Sequence, residues 1–128
     1  DYVSLSLDTI ENLIYSLYMS KQLQDKLRLL KLELLSLLHT LAVTDSIALE
    51  LSEISDSTNT SEPKLKGTIS ALRRMKMDDE SLIMPAGRDT DGRLKWKINE
   101  TVVSKKELAK FLEEEILGKE NIKIDKNY

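Results

Sequence analysis

Apolar positions recur at helical spacing as far as Met75 and switch to strand spacing after it. Ile10, Leu13, Ile14, Leu17 and Tyr18 form a stripe behind Asp8, which makes a capping-box pattern with Glu11 and predicts a first helix. Ser20 to Gln22 reads as a break, the alternative being a continuous bent helix. Leu23, Leu27, Leu30, Leu34, Leu37 and Leu41 then alternate spacings of four and three, the pattern of one long second helix. Leu29, Leu32, Leu35 and Leu38 widen its apolar face well past the roughly 100° that a surface helix needs, so it must be covered on more than one side. Asp45 is the expected cap of a third helix whose Ile47, Leu51 and Ile54 face the core. Residues 55–61, SDSTNTS, read as a polar loop too long for the tight turn of a helix-turn-helix. A fourth helix begins after Thr60 or Ser61 with Pro63 in its first turn, and Leu65, Ile69, Leu72 and Met75 or Lys76 define its inner face.

Strand spacing begins at Leu82-Ile83-Met84, which Pro85 is expected to end because it cannot donate to a ladder. The turn from Ala86 to Gly92 closes on Asp91-Gly92, a strong reversal signal. Leu94, Trp96 and Ile98 then alternate with Arg93, Lys95 and Lys97, one face packing and the other solvated and basic. Trp96 is expected to be a core anchor. Ser104 and Glu107 make another capping box, and Leu108, Phe111, Leu112 and Ile116 line a closing helix ended by Gly118. Helices followed by strand, loop and strand outline a mainly α fold with a small β-hairpin wing, a variant winged helix-turn-helix. The expected division is an N-terminal helical segment over 1–22, the winged helix over 23–118 and a tail over 119–128.

A chain of 128 residues that is 41% hydrophobic can bury one self-sufficient core. Aromatics make up 5%, too few for a base-stacking platform, and the lack of Cys excludes disulfides and thiolate metal sites. No apolar run approaches the roughly 20 residues of a membrane span and no signal-peptide pattern opens the chain, so a soluble, intracellular protein is expected. The net charge of -3 is unevenly spread: about -5 over residues 1–60, about +4 over 61–77, about -3 over 78–93 and about +3 over 94–110. Lys64, Lys66, Arg73 and Arg74 on the outer face of the fourth helix, with Arg88 and Arg93 in the wing, are candidates for a weak nucleic-acid contact. Asp78, Asp79, Glu80, Asp89 and Asp91 lie where phosphate would approach and oppose it.

Side chains for catalysis are missing from the pattern. His39 has no acidic or imidazole partner at metal-ligand spacing and reads as a residue of the helix end or surface. No G-x-S-x-G occurs, and the four glycines are isolated from one another, so neither a nucleophile elbow nor a phosphate cradle is present. Glu113, Glu114 and Glu115 point in different directions around a helix rather than pairing for acid–base work. A non-enzymatic protein without cofactor or metal is expected. The surplus of apolar positions points to protein contact instead, and Ile10, Ile14, Leu17, Tyr18, Leu29 and Leu32 are the candidate homodimer interface.

From Leu27 to Ile116 the chain resembles the C-terminal winged-helix domain of the origin recognition complex large subunit family. The resemblance is carried by LLSLLHTLA, SEPKLKGTISALRRM, ESLIMPAG and above all RLKWKINETVVSKKELAKFLEEEI, in which an alternating strand leads through Asn99 into a closing helix. It implies an ATPase core upstream and a nuclear location. Replication members insert the fourth helix and wing into origin DNA, here residues 61–77 and 85–93. A silencing branch of the family, from budding yeast, uses this domain for homodimerisation in a protein that spreads along nucleosomes with other silencing proteins. The acidic balance and leucine surplus fit that branch better, and imply a dimerisation module with little specific DNA binding.

Overall fold

The computed structural model describes residues 19–117. The candidate interface residues Ile10, Ile14, Leu17 and Tyr18 and the tail over 119–128 lie outside them. Ser20 caps the first described helix, α1 (Lys21–Arg28), by accepting a hydrogen bond from the Leu23 N–H at 3.1 Å, so the expected break falls at Ser20 and the helix starts ahead of Leu23. The leucine run is not one helix. Leu29 closes α1, Lys31 takes an extended conformation, and α2 (Leu32–Val43) starts afresh. No Gly or Pro marks the corner, and leucine's strong helix propensity masks it. Splitting the helix lets both halves bury their seams: Leu23 and Leu27 on α1, and Leu35, Leu37, Leu38 and Leu41 on α2, are all buried. Helix α2 occupies the centre, in contact with α3 (Leu51–Thr58), α4 (Glu62–Arg74), β5 (Leu94–Ile98) and α5 (Lys105–Phe111).

The segment after α2 departs from expectation. Asp45 caps nothing and Ile47 is 85% exposed; residues 44–48 are irregular and lead into a short strand, β1 (Leu49–Glu50), from which α3 springs directly. Glu50 is the N-cap, and its N–H donates to the Glu53 carboxylate at 3.1 Å. The Ile47, Leu51 and Ile54 spacing imitates a helical face, yet the backbone of Leu49 pairs with Trp96 of β5, and a strand of two residues leaves no periodic trace. Lys105 pins the irregular segment by donating to the carbonyls of Thr44 at 2.7 Å and Ser46 at 3.3 Å.

Residues 55–61 are not a long loop. Helix α3 continues through Thr58, whose hydroxyl donates back to the Ile54 carbonyl at 2.8 Å, and Asn59 ends it in the left-handed region at φ 53. Asn tolerates that conformation better than most residues. Only Asn59, Thr60 and Ser61 separate α3 from α4, and the Ser55 hydroxyl braces the turn by donating to the Thr60 carbonyl at 2.6 Å. A polar run has imitated a loop because the one buried residue of α3, Ile54, lies just ahead of it.

After α4 the chain reverses through β2 (Lys76–Met77) and β3 (Glu80–Ser81), joined by Asp78 and Asp79, both at positive φ. The wing is β4 (Ile83–Arg88) and β5, and the sheet order is β1-β5-β4 with every pairing antiparallel. Strand β4 runs past Pro85, which faces Trp96, because an edge strand accommodates a residue with no N–H to donate. A bulge follows between Pro85 and Arg88 with Gly87 at φ 81. Ile98 and Trp96 are buried as the alternation requires, and Leu94 is half-buried. Asn99 closes the junction: its N–H donates to the Leu82 carbonyl at 2.8 Å and its side-chain amide to the Ser81 carbonyl at 3.0 Å. Ser104 caps α5 as expected, accepting from the Glu107 N–H at 3.1 Å, and the helix continues as a π-helical stretch over Leu112–Leu117. Leu108, Phe111 and Leu112 are fully buried. No described helix is long and apolar enough to cross a membrane.

Candidate functional site

Helix α4 has the place of a recognition helix, second in the α3–turn–α4 pair and next to the wing. Leu65, Ile69 and Leu72 are buried toward the core with Thr68, whose hydroxyl returns to the Lys64 carbonyl at 3.1 Å. Its basic residues do not share one outer face. Lys66, Ile69, Ser70 and Arg73 fall at spacings of three and four, and they turn toward the wing, where they line one wall of a groove. Arg88, Gly92 and Arg93 supply the other wall, with Leu51, Leu94 and Trp96 beneath, and the cavity is about 560 Å³. Lys64 points away, to Glu33 of α2, at 3.0 Å. Arg74 shares the outermost side of α4 with Gly67, at which an added Cβ would meet nothing within 4 Å.

Several of these cations are already engaged within the chain. The Arg73 guanidinium lies over the Trp96 ring, 5.4 Å from its centroid. Arg88 donates to the Gly92 carbonyl at 2.7 Å, and Arg93 approaches Glu62 at 3.9 Å. Among the described residues Lys66 and Arg74 make no ion pair. Exposed pairs of this kind contribute about 0–1 kcal/mol each, so they orient the side chains without committing them.

The tip of the wing is a closed knot of backbone bonds. Asp89 accepts through one carboxylate oxygen from the Asp91 N–H at 2.9 Å and the Arg93 N–H at 2.8 Å, and Gly92 completes the reversal at φ 80. The neighbouring Glu50 carboxyl, followed by the Arg93 N–H, holds the Asp89 carboxyl below its ordinary value. One oxygen of its carboxylate is thus occupied by the backbone of the turn. Asp78 and Asp79 likewise sit in a two-residue reversal at the C-terminal end of α4, outside the groove.

At the corner between α1 and α2, Leu29 is 85% and Leu32 59% exposed. They are the two described members of the candidate dimer interface. Arg28 beside them reaches Glu115 at 3.7 Å and lies over the Phe111 ring at 5.0 Å, tying α1 to the closing helix. His39 meets Glu113 at 2.8 Å across the same closing helix, an acidic partner separated by 74 positions that no local spacing could reveal. Among the described residues no group of three or more His, Asp or Glu is placed to hold a metal ion.

The groove itself was not visible in the sequence, since its two walls come from separate segments joined by the wing. The one signal for it is the recurrence of Lys66 and Arg73 seven apart, flanking Ile69.

No protein-family profile and no curated protein sequence matches this chain. Among solved structures, that of a single-substitution mutant of MepR from a multidrug-resistant S. aureus clinical isolate aligns with a TM-score of 0.54 at 13% identity, covering 96% of this chain and 85% of that one. MepR is a winged-helix regulator, and the likeness establishes the winged-helix fold of this chain.

Proposed function

We propose that this winged helix is a homodimerisation module of a nuclear, chromatin-silencing protein and carries no enzymatic activity. The exposure of Leu29 and Leu32 is the observation that supports it. Every other leucine of the α1–α2 stretch is buried or half-buried, whereas these two stand out at a corner directly downstream of the apolar stripe Ile10, Ile14, Leu17 and Tyr18. Large apolar side chains left exposed together, as Leu29 and Leu32 are, are what protein contacts are built on. In the full-length protein, nucleosomes and other silencing proteins would be met by other parts of the chain. Joining two such molecules raises avidity by roughly 10² to 10⁴ without new chromatin contacts. Light scattering over a concentration series tests the pairing: twice the 14.6 kDa chain mass is expected, and a constant monomer mass up to several hundred micromolar would contradict it.

A second reading, a DNA-binding winged helix of a replication initiator, is favoured by one observation, the tight turn between α3 and α4. A long loop would have distorted the helix pair, and there is none. Specific sites are bound about 10³ or more times tighter than random duplex. Such a ratio at physiological salt would establish this reading over the first.

A further inference from the structure

We infer that the groove between α4 and the wing is a docking site for an acidic peptide segment of a partner protein, anchored by one aromatic or branched aliphatic side chain. Its charge is arranged for such a ligand. Lys66 and Arg73 come from one wall and Arg88 and Arg93 from the other, all exposed, while the acidic turns at Asp78–Asp79 and at Asp89–Asp91 lie outside at its flanks. A duplex broad enough to span helix and wing would bring its phosphates against those flanking carboxylates. A single extended peptide lying between the walls meets four cations against the one carboxylate of Glu62.

The floor favours the same ligand. Half-buried Leu94 and the exposed rim of the Trp96 indole, beside the Arg73 that covers its ring, offer a small apolar seat that phosphates cannot use, and the volume, about 560 Å³, lies within the roughly 300–1,000 Å³ of ligand clefts. Arg73, stacked on Trp96, is held with its guanidinium edge available for a carboxylate, a preorganised fork for bidentate pairing. Glu62, the one acidic residue in the lining, already faces Arg93 and leaves Lys66 and Arg73 as the strongest attraction. The site does not depend on pairing of the domain with itself.

Trp96 is the only tryptophan of the chain, so a ligand that enters the groove reports itself in indole emission. A displayed random dodecapeptide library would be panned on the full 128-residue chain at physiological salt and counter-selected on Lys66→Glu. Enriched peptides would then be synthesised and titrated with selective excitation of the indole, beside a short mixed-sequence duplex DNA. The expected result is a consensus of Asp and Glu around one aromatic or branched residue, a saturable shift in Trp96 emission, and affinity lowered about tenfold or more by Lys66→Glu and by Arg73→Ala. Unchanged thermal melts of both variants would exclude unfolding, and the wild-type titration stands without them. Failure to enrich acidic peptides, or binding that leaves Trp96 emission unmoved, would overturn the proposal. A duplex that shifts Trp96 at lower concentration than any peptide would also overturn it, by assigning the groove to nucleic acid.

Discussion

The face made by α4 and the wing and the corner between α1 and α2 solve opposite problems. The first is crowded with charge, yet its cations lean on a ring, a carbonyl and a carboxylate of their own chain, so it is satisfied in water and changes partners at little cost. The second exposes two leucines among charged neighbours, Arg28 and Glu33, that are already paired within the chain. Leu29 and Leu32 give up a favourable burial of roughly 1.5–3 kcal/mol each by staying in water, a loss that only another apolar surface recovers. Under the functions proposed above, the charged face accordingly makes a selective contact and the leucine corner an adhesive one.

Trp96→Ala is the change with the largest expected effect on the charged face. The ring is 8% exposed, pairs in register with Leu49 and Pro85, and carries Arg73, so its removal should cost about 3–5 kcal/mol in urea unfolding followed by circular dichroism. A loss below about 1 kcal/mol would mean that the wing is a loosely attached arm.

The leucine corner should respond in the reverse manner. Leu29→Asp combined with Leu32→Asp should leave unfolding of the monomer within about 0.5 kcal/mol of wild type, as surface changes do, and should abolish the self-association proposed above. Solution mass against concentration reads this directly, and an undiminished dimer would place the interface elsewhere.

A smaller effect is expected at Gly67. A glycine inside a helix costs about 0.5–1 kcal/mol relative to alanine, and an added Cβ there meets nothing, so Gly67→Ala should stabilise the fold by about that amount. The melting temperature should rise by about 2–4 °C. If Gly67→Ala instead weakens binding of a duplex, the outermost side of α4, rather than the groove, is the surface that DNA approaches.

The smallest expected effect is local and depends on pH. Asp89 has a folded pKa below its ordinary value, so the stability it contributes is present above the unfolded value and is lost as pH falls through the folded one. Protection of the Asp91 and Arg93 amides, which donate to Asp89, measured against intrinsic exchange at each pH, should therefore fall as pH drops below the ordinary aspartate value in the wild type. In Asp89→Asn this acid-dependent step should be missing. An identical pH profile in both proteins would show that the turn is held by Gly92 and the backbone alone.

The wing was the most legible part of the chain, because Leu94, Trp96 and Ile98 obey a period of two and Asp91-Gly92 names its own reversal. The two faces of interest were read less evenly. Leu29 and Leu32 were visible as apolar excess, but not the corner that exposes them, since nothing in LRLLKLEL breaks a helix by composition. The tight turn before α4 was hidden by serine and threonine hydroxyls that bond back to their own helix. Strand β1 was hidden because it is defined by a partner 47 positions away, Leu49 against Trp96, and not by any pattern of its own. The groove is of the same kind: its basic residues were all singled out, but which of them converge depends on how the wing folds back over α4.

Pro85 in β4 has a consequence for assembly. The free margin of a sheet is where chains add to one another in fibrils, and here that margin carries a residue without an N–H, then a bulge, then a glycine. The opposite margin, β1, is only two residues long. Neither offers a template on which a third and fourth copy could stack. The self-association proposed above would thereby be kept from open-ended polymerisation through this sheet, leaving copies to meet through side chains in a contact that can be finite.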